Sequence, residues 1–223
     1  MVFINILMTS STNVIKIRNF KDYVYNNEIL KLKLLCESLV DQNMLVEDVL
    51  NECQHDKKAN DICFHLNFEN GVSKLFENGK IELDEGEDTI PSFDWYFLKI
   101  YDKSLNQFIS NDLKNKYSKI IETVGSLNLT YAAFHMCSPN TFIMEHYDQT
   151  TSPERSETGR TNIIVPLHKP NSKKCDIHVD GDVYDLMEYD AFCFNAQFKH
   201  KMYNHTGQDV ILLVLHSFSS DFE

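Results

Sequence analysis

The sequence predicts an α+β protein whose C-terminal half is a double-stranded β-helix, or jelly roll, with a mainly helical N-terminal half packed on it. Two observations carry this prediction. Apolar residues recur at helical spacing in the first half of the chain, whereas eight short runs rich in Val, Ile, Phe, Tyr and Thr follow one another after Gly125. Eight short antiparallel strands are typical of a double-sheet jelly roll, in which strands distant in sequence become neighbours.

The first half of the chain begins with residues 1–20, which we expect to form a strand or an irregular lead-in. From Asn26 to Val40 the apolar residues fall at helical spacing and predict an amphipathic helix. A second, shorter helix is predicted over Met44–Cys53. The alternation of apolar and polar residues over Ile62–Phe68 predicts a strand, and Val72–Phe76 is expected to return beside it as the second strand of a hairpin.

Between this hairpin and Gly125 we expect a loop followed by helices. Residues 78–89 are acidic and contain glycine, which is typical of an exposed loop. The aromatic-rich segments Phe93–Tyr101 and Leu105–Val124 are predicted to be broadly helical, and Gly125 is expected to stop the second of them. Trp95 is interpreted as a core residue.

After Gly125 the segments have strand character. Turn signals separate them, such as Ser-Pro-Asn at 138–140 and Asp-Gly at 180–181. We therefore divide the chain into a mainly helical N-terminal portion, 1–125, and a jelly-roll metal-binding core, 126–223, within one compact domain. The eight predicted strands are Leu129–Met136, Thr141–His146, Arg160–Leu167, Cys175–Val179, Val183–Leu186, Ala191–Asn195, His200–His205 and Val210–His216.

Composition and charge narrow the classes of function. The 223 residues carry a formal net charge of -12 at pH 7. Because so acidic a surface disfavours nucleic acid and anionic membranes, we expect neither as a partner. The six cysteines include no Cys-x-x-Cys pair, which argues against a thiolate zinc site and against a disulfide framework. We expect reduced thiols and a cytoplasmic protein.

Three side chains have the types and spacing of an iron site. His146 and Asp148 stand two positions apart where a strand runs into a polar loop, so they share one face and can bind one cation. His200, from a strand folded back beside them, completes a 2-His-1-carboxylate set, which binds Fe(II) and leaves positions open for a co-substrate and oxygen. His-x-Asp alone occurs by chance, but Asn204 and Thr206 after His200 favour the metal site.

Motifs in the last third of the chain match those of a known enzyme family. Through them the segment resembles the aspartyl/asparaginyl β-hydroxylase group of Fe(II)/2-oxoglutarate dioxygenases, which have a cupin-like jelly roll. The resemblance implies iron held by His146, Asp148 and His200, 2-oxoglutarate as co-substrate, and hydroxylation of an unactivated carbon. Some members replace the carboxylate, and residues 1–125 show no such resemblance. The matching motifs are His146-Tyr-Asp148, Arg160-x-Asn162 in a strand reaching Pro166, and Phe192-x-Phe194 with His200-x-x-x-Asn204-x-Thr206.

One position departs from the family pattern. The family usually has an arginine ten residues after the distal histidine, where it pairs with the far carboxylate of 2-oxoglutarate; here the residue is Val210. The strand holds no cation, so the bidentate clamp is missing there. Arg160 is the best substitute, and Asn162 on the same face can donate a hydrogen bond to that carboxylate. The alternative interpretation of Arg160 is a surface cation at the start of a strand.

Two further histidines have open interpretations. His216 shares a strand face with Leu212, so it either reaches the interior or is a hydrogen-bonded histidine near a strand end. His135 either lines the pocket or lies outside it. Asn204 is expected to hold the backbone near His200 rather than to touch substrate.

The expected function is an Fe(II)- and 2-oxoglutarate-dependent dioxygenase that hydroxylates an amino-acid, peptide or small-molecule substrate. Two alternatives stay open. A cupin-like metalloprotein that does not use 2-oxoglutarate is favoured by Val210. A non-catalytic jelly-roll binding module is the second, and the intact His146, Asp148 and His200 argue against it.

Overall fold

A computed structural model of the chain describes residues 16–55, 63–68, 73–75, 81–83, 93–103, 110–139, 142–146, 160–168 and 175–218. These ranges contain α-helices and antiparallel sheets, so the α+β class is confirmed. The helices are α1 (Asn26–Leu39), α2 (Gln42–His55), α3 (Asn111–Lys116) and α4 (Ser118–Ser126).

Polar side chains fix where two of these helices begin. In front of α2 the carboxylate of Asp41 accepts a hydrogen bond from the Met44 backbone N–H at 2.9 Å. At the start of α3 the Ser110 hydroxyl accepts one from the Leu113 N–H at 3.3 Å. Such caps satisfy donors that the first helical turn leaves unpaired, so both helices start at these residues.

The strands of the described ranges run through the whole chain. Their bounds are β1 (Ile17–Arg18), β2 (Cys63–Phe68), β3 (Ser73–Leu75), β4 (Ile81–Leu83), β5 (Phe93–Asp102), β6 (Tyr131–Cys137), β7 (Phe142–His146), β8 (Arg160–Leu167), β9 (Cys175–Val179), β10 (Asp182–Asp185), β11 (Phe192–Asn195), β12 (His200–Asn204) and β13 (Val210–Phe218).

Two antiparallel sheets carry the architecture. The larger has seven strands in the order β1-β11-β8-β13-β6-β5-β2, and the smaller has four in the order β10-β9-β12-β7. A separate pair, β3-β4, stands apart from both. The eight strands predicted after Gly125 are all present, and they divide equally between the two larger sheets. The three remaining strands of the seven-stranded sheet come from the first half of the chain.

The seven-stranded sheet buries both of its faces. Along β13, Ile211, Leu213 and Leu215 belong to the core that includes the helices, whereas Leu212 and Val214 belong to the core shared with the four-stranded sheet. This alternation follows from the period of two in a strand. Burial of apolar area on each side stabilises the layers, at about 25 cal/mol for each Å² removed from water. The helices therefore cover one face, and the other faces the smaller sheet.

The segment 93–101, predicted to be helical, is the strand β5, so that prediction was wrong. Trp95 and Phe97 line the space between the sheets, while Leu98 and Ile100 enter the core under the helices. A strand buried on both faces has apolar residues at successive positions, and such a run has no alternation to distinguish it from a helix. The segment is a strand because it pairs with β6 on one side and with β2 on the other.

The predicted hairpin between Ile62–Phe68 and Val72–Phe76 was also wrong, because these segments pair with other strands. β3 pairs with β4, which lies inside the segment expected to be a loop, and β2 pairs with β5. Gly125 does not end its helix, since α4 continues to Ser126. Much of the predicted helix 105–124 is present as α3 and α4, with residues 104–109 outside the described ranges.

Four cysteines whose side chains the structure describes, Cys36, Cys137, Cys175 and Cys193, are buried free thiols. Burial raises the pKa of Cys36, Cys175 and Cys193 to about 12, so these thiols stay protonated at neutral pH. A protonated buried thiol is a poor nucleophile and metal ligand. These cysteines therefore act as small apolar core residues.

Asn204 closes the turn between β12 and β13. Its side-chain amide donates to the carbonyls of Cys137, Ser138 and Gln208 at 2.9–3.0 Å. Its side-chain oxygen accepts from the backbone N–H and the hydroxyl of Thr206. Asn204 is fully buried and sits at the end of β12 opposite His200. Asn204 therefore hydrogen-bonds backbone groups, as expected. These groups lie at the end of β12 away from His200, and the bonds join the turn after β12 to the end of β6.

We expect Asn204→Ala to lower the free energy of unfolding by about 2–3 kcal/mol, because it leaves buried carbonyls without a donor. Guanidinium titration followed by circular dichroism measures the change. The exposed neighbour His205 provides the control, since His205→Ala should stay within about 0.5 kcal/mol. Equal unfolding midpoints for the two variants would contradict this role for Asn204.

Candidate metal centre and cavity

Two imidazoles lie side by side where β7 ends and β12 begins. The strands pair antiparallel, and His200 is the register partner of His146. Their ring centroids are 4.3 Å apart at an interplanar angle of 56°. The His200 side chain is buried and that of His146 is exposed. Two rings this close, one against the interior and one at the surface, can offer nitrogens to a single cation at the edge of the cavity between the sheets.

Local contacts orient the ring of His200. Its Nδ1 lies 3.0 Å from the backbone carbonyl oxygen of Phe198. A carbonyl only accepts hydrogen bonds, so Nδ1 carries the proton and Nε2 keeps its lone pair. The ring of Phe194 packs against the same imidazole in an edge-to-face arrangement at 4.8 Å. A backbone carbonyl bound to the second ring nitrogen is the usual support of a metal-ligating histidine.

A cavity of about 270 Å³ lies between the two sheets and reaches both imidazoles. Its wall is mostly apolar, with a few polar groups, as in small-molecule sites generally. The lining residues are Trp95, Phe97, Tyr131, His135, Ile143, His146, Asn162, Ile164, Ile177, Phe194, His200, Lys201, Met202, Leu212, Val214 and His216.

Three polar residues form a row across the seven-stranded sheet, facing the cavity. His216 on β13 is in register with Tyr131 on β6 and with Asn162 on β8. The rings of Tyr131 and His216 stack with centroids 4.1 Å apart and planes within 10°. Asn162 is in register with Phe194, the residue that contacts His200. The row therefore lies near the imidazole pair, at the ends of the strands.

The inner part of the cavity is apolar apart from His135 and Trp95. His135 is the register partner of Leu212 on one side and of Phe97 on the other. Its ring lies 4.8 Å from that of Phe97 and 5.7 Å from that of Trp95. Val210 lies two residues before Leu212 on the same face of β13, further from the imidazole pair, and is completely buried. The structure thus places a valine at the inner end, at the position where the resemblance to the family leads us to expect an arginine.

The predicted site residues are distributed as follows. His146, His200 and Asn162 share one cavity. Asp148 lies outside the described residues, and no group of three potential metal ligands occurs within them. Arg160 begins β8, two positions before Asn162, and does not belong to the residues that line the cavity.

For some of the residues that line the cavity, the sequence allowed two interpretations, and others were not predicted from it. His135 and His216, which had two interpretations each, both face the cavity. Trp95 and Phe97 line it as well, and a strand pattern over Phe93–Asp102 would have pointed to them. Tyr131 could have been found from its position at alternate spacing to His135 on one strand.

A family model describes more than half of this chain. The model of aspartyl/asparaginyl beta-hydroxylases matches residues 66–218. The chain belongs to this family. The match starts in β2, well before the last third in which the motifs lie, so β5 and the helices α3 and α4 lie within the matched region. Membership supports an oxygenase of the hydroxylase type.

Other comparisons are more distant. An oxidoreductase of the 2OG-Fe(II) oxygenase family from Burkholderia pseudomallei is 13% identical over 75% of this chain and 79% of that one, with a TM-score of 0.38. A predicted oxalate decarboxylase from Thermotoga maritima is 11% identical over 56% and 81%, at 0.34. A Cupin_2 domain of an XRE family transcriptional regulator from Enterobacter cloacae is 15% identical over 41% and 83%, at 0.32. No curated protein matches the sequence.

The donor set fits Fe(II). Two imidazoles on adjacent strands are two thirds of a 2-His-1-carboxylate site, and neutral imidazole suits iron.

None of the helices in the described ranges has the length and apolar character needed to span a bilayer.

We expect the neutral ring of His200 to be the Nδ1–H tautomer in metal-free protein, because of its bond to the Phe198 carbonyl. Long-range ¹H–¹⁵N correlation spectra at about pH 8, above the ordinary imidazole pKa of about 6.5, distinguish the two tautomers. A protonated Nε2 would contradict the proposed ring orientation.

Proposed function

We propose that the protein is an Fe(II)- and 2-oxoglutarate-dependent dioxygenase that hydroxylates an amino-acid, peptide or small-molecule substrate. The observation that carries this proposal is the cross-strand pair His146–His200 at the wall of an interior cavity, in a chain of the hydroxylase family. The metal ligands would be these two imidazoles and Asp148.

The fold proposed for the catalytic core is a double-stranded β-helix. What supports it is the order of the last eight strands, β11-β8-β13-β6 in one sheet and β10-β9-β12-β7 in the other. Consecutive strands alternate between the sheets from β6 to β9, so sequence neighbours face each other across the interior. This arrangement makes β7 and β12 partners and gives the metal site its two histidines.

Each described residue of the site has a distinct task. Iron, when bound, supplies the oxygen-activating chemistry that hydroxylation of an unactivated carbon needs. His200, held by the Phe198 carbonyl, presents Nε2 in a fixed direction, and His146 approaches from the exposed side. Asn162 lies near this pair and can donate its amide N–H to a carboxylate oxygen of the co-substrate. Arg160, at the start of the same strand, adds positive charge outside the cavity.

The size of the cavity favours a small co-substrate inside and a substrate at its mouth. The volume of about 270 Å³ lies just below the range of roughly 300–1,000 Å³ that is typical of ligand pockets. Apolar walls around Ile143, Ile177 and Leu212 exclude water, which strengthens polar interactions within. A peptide or amino acid would then approach from the side where His146 is exposed.

We expect His146→Ala and His200→Ala each to abolish stoichiometric Fe(II) binding and turnover, because one imidazole and one carboxylate make a weak site. Anaerobic calorimetry with Fe(II) measures binding, and oxygen-dependent succinate release measures turnover. The outer-face residue His178 provides a matched control, since His178→Ala should retain both. Full iron binding in either cavity variant would count against the assignment.

We expect Arg160→Ala to raise the KM for 2-oxoglutarate by about two- to threefold, because loss of a positive charge outside the cavity weakens the attraction of the dianion by about 0.5 kcal/mol. Arg160→Lys keeps the charge and should lie between the variant and the native enzyme. An unchanged requirement for 2-oxoglutarate would assign Arg160 to the surface instead.

A second candidate is a cupin-like metalloprotein that does not use 2-oxoglutarate. The completely buried Val210, in place of the family's arginine, favours it. Oxygen-dependent release of succinate from 2-oxoglutarate by the iron-loaded protein would exclude this candidate.

A further inference from the structure

We propose that His135 binds the far carboxylate of 2-oxoglutarate and takes the place of the arginine that Val210 replaces. This inference rests on the proposed function and names the residue that gives the cavity its preference for a dicarboxylate. The basis is the position of His135 between the two aromatic rings and β13.

The register places His135 where a guanidinium from position 210 would end. Val210 is in register with Cys137, and the next inward-facing pair is Leu212 with His135. A long arginine side chain at 210 would have to extend along the strand toward the metal to meet a ligand. The shorter imidazole of His135 starts from the neighbouring strand, one alternate position closer to the metal, and so reaches the same part of the cavity.

The chemistry of the inner wall leaves His135 as the group suited to an anion. Among the described lining residues beyond the row of Tyr131, Asn162 and His216, the residues around His135 are apolar or aromatic, and Trp95 offers another N–H. The cation in the lining, Lys201, alternates along β12 with the buried His200 and Met202, and its ammonium lies 5.6 Å from the ring of Tyr203. A carboxylate placed there without a hydrogen-bond donor would carry a large desolvation penalty. An imidazole ring offers a carboxylate at least one N–H donor, whichever tautomer it adopts.

The surroundings of His135 hold it in place. The ring is half-buried, 4.8 Å from Phe97 and 5.7 Å from Trp95. Rings at these distances restrict the plane of the imidazole. A positioned imidazole loses little conformational entropy when it binds, which favours a specific contact.

Arg160 and Asn162 are placed to act at the other end of the co-substrate. Asn162 stands in the row near His200, and Arg160 lies still further out along β8. Neither is on β6 or at the inner end of the cavity. A keto acid chelated beside His146 and His200 would point its far carboxylate inward, toward β6 and β13.

The test compares two five-carbon keto acids that differ at the far end. Anaerobic calorimetry on the Fe(II)-loaded protein measures Kd for 2-oxoglutarate and for 2-oxovalerate, which lacks the second carboxylate. We expect the native protein to prefer 2-oxoglutarate by about 10- to 100-fold, the value of one charge-assisted hydrogen bond. His135→Leu should reduce this preference to about threefold or less, and the double variant His135→Leu/Val210→Arg should restore it.

The controls separate the carboxylate contact from general damage. His135→Met keeps a side chain of similar length without an N–H donor and tests the same contact if His135→Leu does not fold, as judged by its melting temperature. His178→Leu removes an imidazole from the outer face of β9 and should leave the preference unchanged.

The outcomes distinguish this inference from the proposed function. A native preference that survives in folded His135→Leu or His135→Met overturns the role of His135 and leaves the dioxygenase proposal standing. A native protein that prefers 2-oxovalerate overturns the inference, because the inner end would then be an apolar site. Binding of neither keto acid to the iron-loaded native protein overturns both.

Discussion

The antiparallel pairing of β7 with β12 is the constraint on which the site depends. It makes His146 and His200, which are far apart in the sequence, register partners with ring centroids 4.3 Å apart. A register slip of one residue would turn one imidazole to the opposite face of the sheet. Hydrogen bonds at both ends of β12 oppose such a slip. The Phe198 carbonyl holds His200 at one end, and the bonds of Asn204 hold the turn at the other.

The two-sided burial of the seven-stranded sheet explains why the first half of the chain is needed. Helices α1, α2 and α4 cover one face, so that the opposite face can line a cavity without losing its support. β5 contributes to both faces of this sheet, since Trp95 and Phe97 face the cavity and Leu98 faces the helices. The cavity is thus built jointly by the eight-stranded part and by an element that precedes it, in agreement with a family match that begins at residue 66.

The second half of the fold was predictable because its strands are short runs rich in β-branched and aromatic residues, and turn residues separate them. All eight strands were found, with Arg160–Leu167 and Cys175–Val179 placed to the residue. β5 was misassigned because its successive apolar residues follow no period, and only its pairing with β6 and β2 determines its conformation. The error concealed Trp95 and Phe97 as lining residues.

The candidate site was predictable in part for similar reasons. His146 and His200 stand in motifs with a physical meaning, so their proximity could be expected from the strand pattern. His135 and His216 could not be placed, because period-two spacing says which residues share a face but not which face is inward. The replacement of arginine by Val210 was visible in the sequence. The neighbour on β6 that we propose as its replacement, His135, became apparent only from the register of β6 with β13.

The most direct test of this account is an anaerobic titration of the protein with Fe(II) and 2-oxoglutarate, followed by visible absorption. The account predicts the weak charge-transfer band of a chelated keto acid when both are present, and its loss when His200 is replaced by alanine. Fe(II)-loaded native protein that gives no such band on saturation with 2-oxoglutarate would contradict it.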